Sequence, residues 1–155
     1  MKTWDSIIDF FRSCPEHMVY VCLRNFEEYE DNKLTDEHLD IDVLCEDKKQ
    51  FIAFSGAIPK TIRHGLLPHT NYFLNISGKL IRIDIFTPGD GYYDKRWARK
   101  MLKTRVLYKN LFYVLEEEVY FYSLLYHSIV HKYEFCKDYS LKLSNMNKYY
   151  GGANY

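Results

Sequence analysis

Asp40-Ile41-Asp42-Val43-Leu44-Cys45 alternates acid with aliphatic and then turns wholly apolar, and Leu80-Ile81-Arg82-Ile83-Asp84-Ile85-Phe86 repeats the pattern later in the chain. Side chains alternate faces along a strand. Ile41, Val43 and Cys45 therefore share one face, with Asp40 and Asp42 on the other. In the later run Ile81, Ile83 and Ile85 share the buried face, opposite Arg82 and Asp84. An unpaired carboxylate costs several kcal/mol to bury. Taken singly, each acid reads as an ordinary charge on an exposed sheet face. Taken together, two carboxylates at i and i+2, about 7 Å apart along a strand, and a third on a neighbouring strand read as a divalent-metal site. Mg²⁺ prefers such hard oxygen donors and leaves room for substrate phosphates.

Working outward, Met18-Val19-Tyr20-Val21-Cys22-Leu23 is an earlier apolar strand that ends in Arg24-Asn25. The order is strand, acidic pair, third acid on another strand. It resembles the DNA polymerase β-type nucleotidyltransferase superfamily over roughly residues 18–86. That family's opening strand ends in Gly-Gly or Gly-Ser; here Arg24-Asn25 stands in that place. The resemblance implies an α+β fold, with a small mixed sheet of four or five strands backed by helices in a nucleotidyltransferase-like palm. It implies Mg²⁺ (or Mn²⁺) held by Asp40, Asp42 and Asp84, and an NTP as substrate. In a two-metal site the ions lie about 3.5–4 Å apart, and Asp84 accepts the acceptor hydroxyl's proton. Arg24 and Asn25 would bind the β- and γ-phosphates, with Arg82, Arg96 and Lys100 supporting the developing charge. The stretches YYDKRWARKML (92–102) and YFYSLLYHSIVHK (120–132) are similar to small nucleotidyltransferase-like proteins encoded beside cell-surface glycan assembly enzymes. That similarity implies a sugar, glycan or sugar-phosphate acceptor. The other reading is a catalytically inactive module that binds a nucleotide or a protein.

Composition sets the bounds. With 155 residues, 47% hydrophobic and 27% charged, the chain reads as a single domain over 1–143 with a frayed tail over 144–155. A net charge of zero argues against a nucleic-acid partner. The charge is polarised, however. Residues 1–50 hold 6 Lys/Arg against 13 Asp/Glu, and the rest hold 15 against 8. An acidic pole facing a basic one suits a polyphosphate on a metal. Cys14, Cys22, Cys45 and Cys136 form no C-x-x-C pair and read as reduced thiols. No apolar run approaches the ~20 residues of a membrane span. These features give the expectation of a cytoplasmic protein without a membrane partner.

The remaining elements follow from period and punctuation. Thr3 caps a first helix carrying Trp4, Ile7, Ile8 and Phe11, ended by Pro15. Residues 26–39 form an acidic connection with a solvated His38. A second helix follows Glu46-Asp47 and stops at Gly56 and Pro59, and 60–71 reads as a loop. Tyr72–Ile76 pairs with Lys79–Phe86 across the Ser77-Gly78 turn. Thr87–Asp94 is the most turn-rich segment, either a plain loop or a lip whose Tyr92 or Tyr93 stacks on a base. Asp94 caps a basic helix over 95–105. Leu111–Leu115 is the last strand, and a long buried helix over 116–133 carries His127 and His131. These two read as core or rim histidines bonded to tyrosine. A short helix starts near Asp138.

Overall fold

The computed structural model describes the backbone of residues 1–30, 40–64, 67–132 and 137–150, and every side chain in them except 62–64, 67–69, 138 and 147–150. Its elements are α1 (Ile7–Arg12), β1 (Tyr20–Cys22), a 3₁₀ turn (Phe26–Tyr29), β2 (Asp40–Cys45), α2 (Lys48–Ser55), β3 (Ile58–His64) and β4 (Leu67–Ile76). They continue with β5 (Lys79–Phe86), α3 (Lys95–Lys103), β6 (Val106–Tyr108), β7 (Phe112–Val114), α4 (Glu117–Tyr126), a π-turn (His127–His131) and α5 (Lys137–Tyr150). The class is α+β, as expected. The sheet is larger than expected: seven strands in the order β3-β4-β5-β2-β1-β7-β6.

One extra strand, β3, and the N-terminal half of β4 come from a segment read as a loop. Residues 58–64 and 67–76 pair antiparallel from Ile58↔Phe73 to His64↔Leu67. Proline hides this pairing in the sequence. Pro59 sits on β3, an edge strand that needs no second row of donors. Pro68 sits where β4 pairs with β3 alone, because the β4–β5 ladder begins only at Tyr72. The three-residue β6, too short to show a period, pairs with β7.

The expected turn and cap chemistry is largely present. Ser77 (φ 49°) and Gly78 (φ 84°) make the left-handed hairpin turn between β4 and β5. Asp47 caps α2 by accepting from Gln50 N, and Gly56 (φ 67°) ends it. Asp94 caps α3 through Arg96 N and Trp97 N. The first helix starts later than read: Ser6, not Thr3, caps it, accepting from Asp9 N. Trp4 is drawn off the helix because its backbone bridges Ile76 and its indole donates to Ser55 O at 2.9 Å. The helix expected over 116–133 is α4 plus the π-turn, and α5 runs on past residue 144 to Tyr150. His38, Cys136 and residues 151–155 lie outside the described residues.

The aliphatic sides of β2 and β5 and the rings of Phe10, Phe11, Tyr20, Phe51 and Phe112 bury one face of the sheet beneath α1 and α2. The other face is covered by α3 and α4, joined through Trp97, Tyr93 and Tyr126. That cover stops short over β2 and β5, where the acids emerge. Among the described residues no helix is long and apolar enough to cross a membrane.

Candidate functional site

β2 and β5 are adjacent and parallel, in the register Asp40↔Arg82, Ile41↔Ile83, Asp42↔Asp84. Adjacent strands lie about 4.8 Å apart. Register partners share a face, so Asp40, Asp42, Arg82 and Asp84 form a two-by-two block on one side of the sheet. The three acids read as a cluster from the sequence are therefore brought together. Their exposure is graded: 51% for the Asp40 side chain, 24% for Asp84 and 10% for Asp42.

Each carboxylate faces an arginine. Arg24 Nε donates to Asp42 Oδ2 at 2.9 Å. Arg82 donates two-pronged to Asp84, Nε to Oδ1 at 3.0 Å and Nη2 to Oδ2 at 3.1 Å. Its Nη1 stands 3.8 Å from Asp40 Oδ2. Burial, followed by the charge of Asp42, raises the Asp84 carboxyl above its ordinary 3.8 against the pull of Arg82. Three hard carboxylates on one face are a donor set that suits Mg²⁺ or Mn²⁺. Among the described residues, no group of three His, Cys, Asp or Glu side chains is gathered tightly enough to hold an ion.

Arg24 was expected to reach phosphates. It is instead 2% exposed and turned inward. Its Nη2 donates to Tyr92 Oη at 2.7 Å and its Nη1 to Tyr93 Oη at 3.5 Å. Burial works against its charge, but Asp42, Tyr92 and Tyr93 outweigh burial and hold its pKa above the usual value. Asn25 takes a left-handed backbone (φ 56°), a conformation open to Gly and tolerated by Asn. Asn25 Oδ1 accepts from Lys142 Nζ at 3.2 Å.

Tyr92 does not offer its ring to a base. Phe86 stacks on it at 3.8 Å and His131 at 4.0 Å between centroids. Two rings so close cannot share one side, so both faces are covered. Tyr93 is buried. The Tyr92 hydroxyl, accepting from Arg24, is also hydrogen-bonded to His127 Nδ1 at 2.9 Å. His127 Nδ1 and His131 Nδ1 lie 3.3 Å apart. Burial, then Arg24, Lys132 and His131, push His127 down to about 3. Burial lowers His131 as well, against a hydrogen bond to the Tyr92 backbone. Both histidines are bonded to tyrosine, as read from the sequence. The wide π-turn brings them to the same side.

The acids floor a cleft of about 1080 Å³. Arg24, Asn25 and Glu28 line it from the β1 side and Lys132, Tyr139 and Lys142 from the π-turn and α5, while Lys48 of α2 and Thr70 and Tyr72 of β4 border it from the aliphatic side of the sheet, across from the acids. Arg96 and Lys100 are not brought to this cleft. Both are exposed on α3, and the Arg96 side chain stands 94% exposed beside Asp94. Lys132 and Lys142 carried no sequence signal, since scattered lysines are ordinary on a solvated surface. Comparison with known proteins gave no matching family model, no matching curated protein and no matching solved structure.

Proposed function

We propose that this chain is a divalent-metal-dependent nucleotidyltransferase on a nucleotidyltransferase-like palm, moving a nucleoside monophosphate from an NTP to a hydroxyl or phosphate acceptor. One observation carries the reading: three carboxylates delivered by register to one face of two parallel strands, flooring a cleft rimmed by Arg82, Lys132 and Lys142. Asp40, Asp42 and Asp84 would hold Mg²⁺ or Mn²⁺, which neutralises phosphate charge and lowers the pKa of the attacking hydroxyl. The acceptor oxygen attacks the α-phosphorus, the bond to pyrophosphate breaks, and the hydroxyl proton passes to Asp84. Arg82 and the lysines bind the departing phosphates. The cleft is larger than most single-ligand pockets, which leaves room for an acceptor of the sugar or sugar-phosphate class.

A pyrophosphate-release screen tests this, with each of the four NTPs and Mg²⁺ against sugars, sugar phosphates, proteins and tRNA. Asp84→Asn should keep its melting temperature and circular dichroism while release stops. Full turnover by that variant would remove Asp84 from the mechanism.

The second reading, a binding module without chemistry, is favoured by the arginine on every acid. Calorimetry with each NTP, first with Mg²⁺ and then with EDTA, separates the two. Metal-dependent binding without product across the acceptor panel selects the module.

A further inference from the structure

We propose that Arg82 is a built-in stand-in for the cation. It keeps Asp40 and Asp84 closed to a free divalent ion and yields them to a metal-bearing nucleotide, whose phosphates it then takes. The inference rests on the nucleotidyltransferase reading.

Position comes first. Arg82 is the register partner of Asp40 and lies two residues before Asp84 on the same face. One guanidinium therefore lies against both acids, at 3.0 and 3.1 Å from Asp84 and 3.8 Å from Asp40. Charge comes second. Asp40, Asp42 and Asp84 carry three formal negatives, and Arg24 and Arg82 cancel two. A floor of net charge −1 attracts a bare divalent ion weakly. Mobility comes third, and it separates the two arginines. Arg24 is enclosed, with all three of its nitrogens engaged. The Arg82 side chain is 38% exposed, and carboxylates are its only ion-pair partners among the described residues. The Arg82 pairs are open to solvent, which screens them, so they exchange more readily than the enclosed pair of Arg24. Once displaced, the planar fork that held a carboxylate suits a phosphate equally well. Nucleotide and metal together supply both halves of the exchange, negative oxygens for Arg82 and a cation for the acids. Neither partner alone does so.

Mn²⁺ titration followed by electron paramagnetic resonance reads this without any turnover. The intact chain, Arg82→Ala and Arg82→Gln are each titrated with Mn²⁺ alone and with Mn²⁺ plus a non-transferable α,β-methylene NTP. Arg82→Ala should bind free Mn²⁺ at least tenfold more tightly than the unmodified chain and bind the analogue at least tenfold more weakly. In the unmodified chain the analogue should raise Mn²⁺ affinity at least tenfold. Arg82→Gln keeps the stem and a neutral donor, and serves as the readout should the alanine variant fail to fold. If the unmodified chain takes Mn²⁺ with the analogue and neither variant changes affinity for free Mn²⁺, the stand-in role is wrong and the nucleotidyltransferase reading survives. If no protein takes Mn²⁺ under either condition, both fall together.

Discussion

Replacing Arg24 by Met should destabilise the fold by about 4 kcal/mol at neutral pH. The figure follows from who is left behind. Arg24 is 2% exposed and Asp42 7%, and their ion pair closes at 2.9 Å. At an effective dielectric constant of about 20, two unit charges at that separation attract by roughly 6 kcal/mol. Desolvation of both partners offsets part of this in the native protein. Removing one partner, however, strands the other, and the measured cost of breaking a buried pair is about 3–5 kcal/mol. The tyrosines add little, because Tyr92 keeps His127 and Tyr93 keeps Ser123 at 3.2 Å. The dominant loss is the uncompensated Asp42 carboxylate. Arg24→Met combined with Asp42→Leu removes that charge as well, so the double variant should be more stable than Arg24→Met alone. Urea unfolding followed through Trp4 and Trp97 fluorescence measures all three. An Arg24→Met cost below about 1 kcal/mol, or a double variant whose loss equals the sum of the two single losses, would refute the reasoning.

Two further outcomes follow from other parts of the molecule. His127 is held at about 3 in the fold against an ordinary 6.5, so the unfolded chain binds the proton first. The stability it contributes is present above pH 6.5 and is lost as pH falls toward 3, with a slope of up to about 1.4 kcal/mol per pH unit. Denaturation midpoints across that window should fall less steeply in His127→Gln, and identical slopes would show that His127 is not the titrating group. Gly56→Ala places a Cβ 2.7 Å from Lys2 Cβ at a backbone φ of +67°. Calorimetric melting should show a loss of about 1–2 kcal/mol, and an unchanged melting temperature would contradict both the contact and the strain.

The central ladder was legible because strand parity is a local rule. Ile41, Ile83 and Ile85 are buried at the alternating positions, and parity alone placed the acids opposite them. The helix caps Asp47 and Asp94 and the Ser77-Gly78 turn were legible for the same reason: each acts within three or four residues. What hid was set by distant partners. Residues 58–64 lack a clear period and contain Pro59, so only pairing with β4 makes them a strand. Trp4 looked like a helix residue by spacing, yet Ser55 and Ile76, more than fifty positions away, pull it into the sheet. Neither pull leaves a mark on the local sequence.

The site divides along the same line, and the division bears on what the cleft is for. Carboxylates have short stems, so strand parity almost fixes where they act. Arginine has a long stem, and its partner is chosen by the fold: Arg24 reaches Asp42 across 18 positions and Tyr92 across 68. From sequence it looked like a phosphate ligand, and in the fold it is an internal counterion. The consequence is electrostatic. A floor of three bare carboxylates repels a triphosphate until metal has filled it. In the proposed exchange, a floor with one acid neutralised by Arg24 and two held by a displaceable Arg82 would let the polyanion approach. A protein selected only to hold a divalent ion gains nothing from arginines on its ligands, because they compete with the ion. A protein that must take metal and phosphate together does gain from them. On the nucleotidyltransferase reading, the compensated acids fit an anionic substrate that brings its own metal better than a resident metal, and Arg82, the more open of the block's two arginines, is where that distinction can be measured.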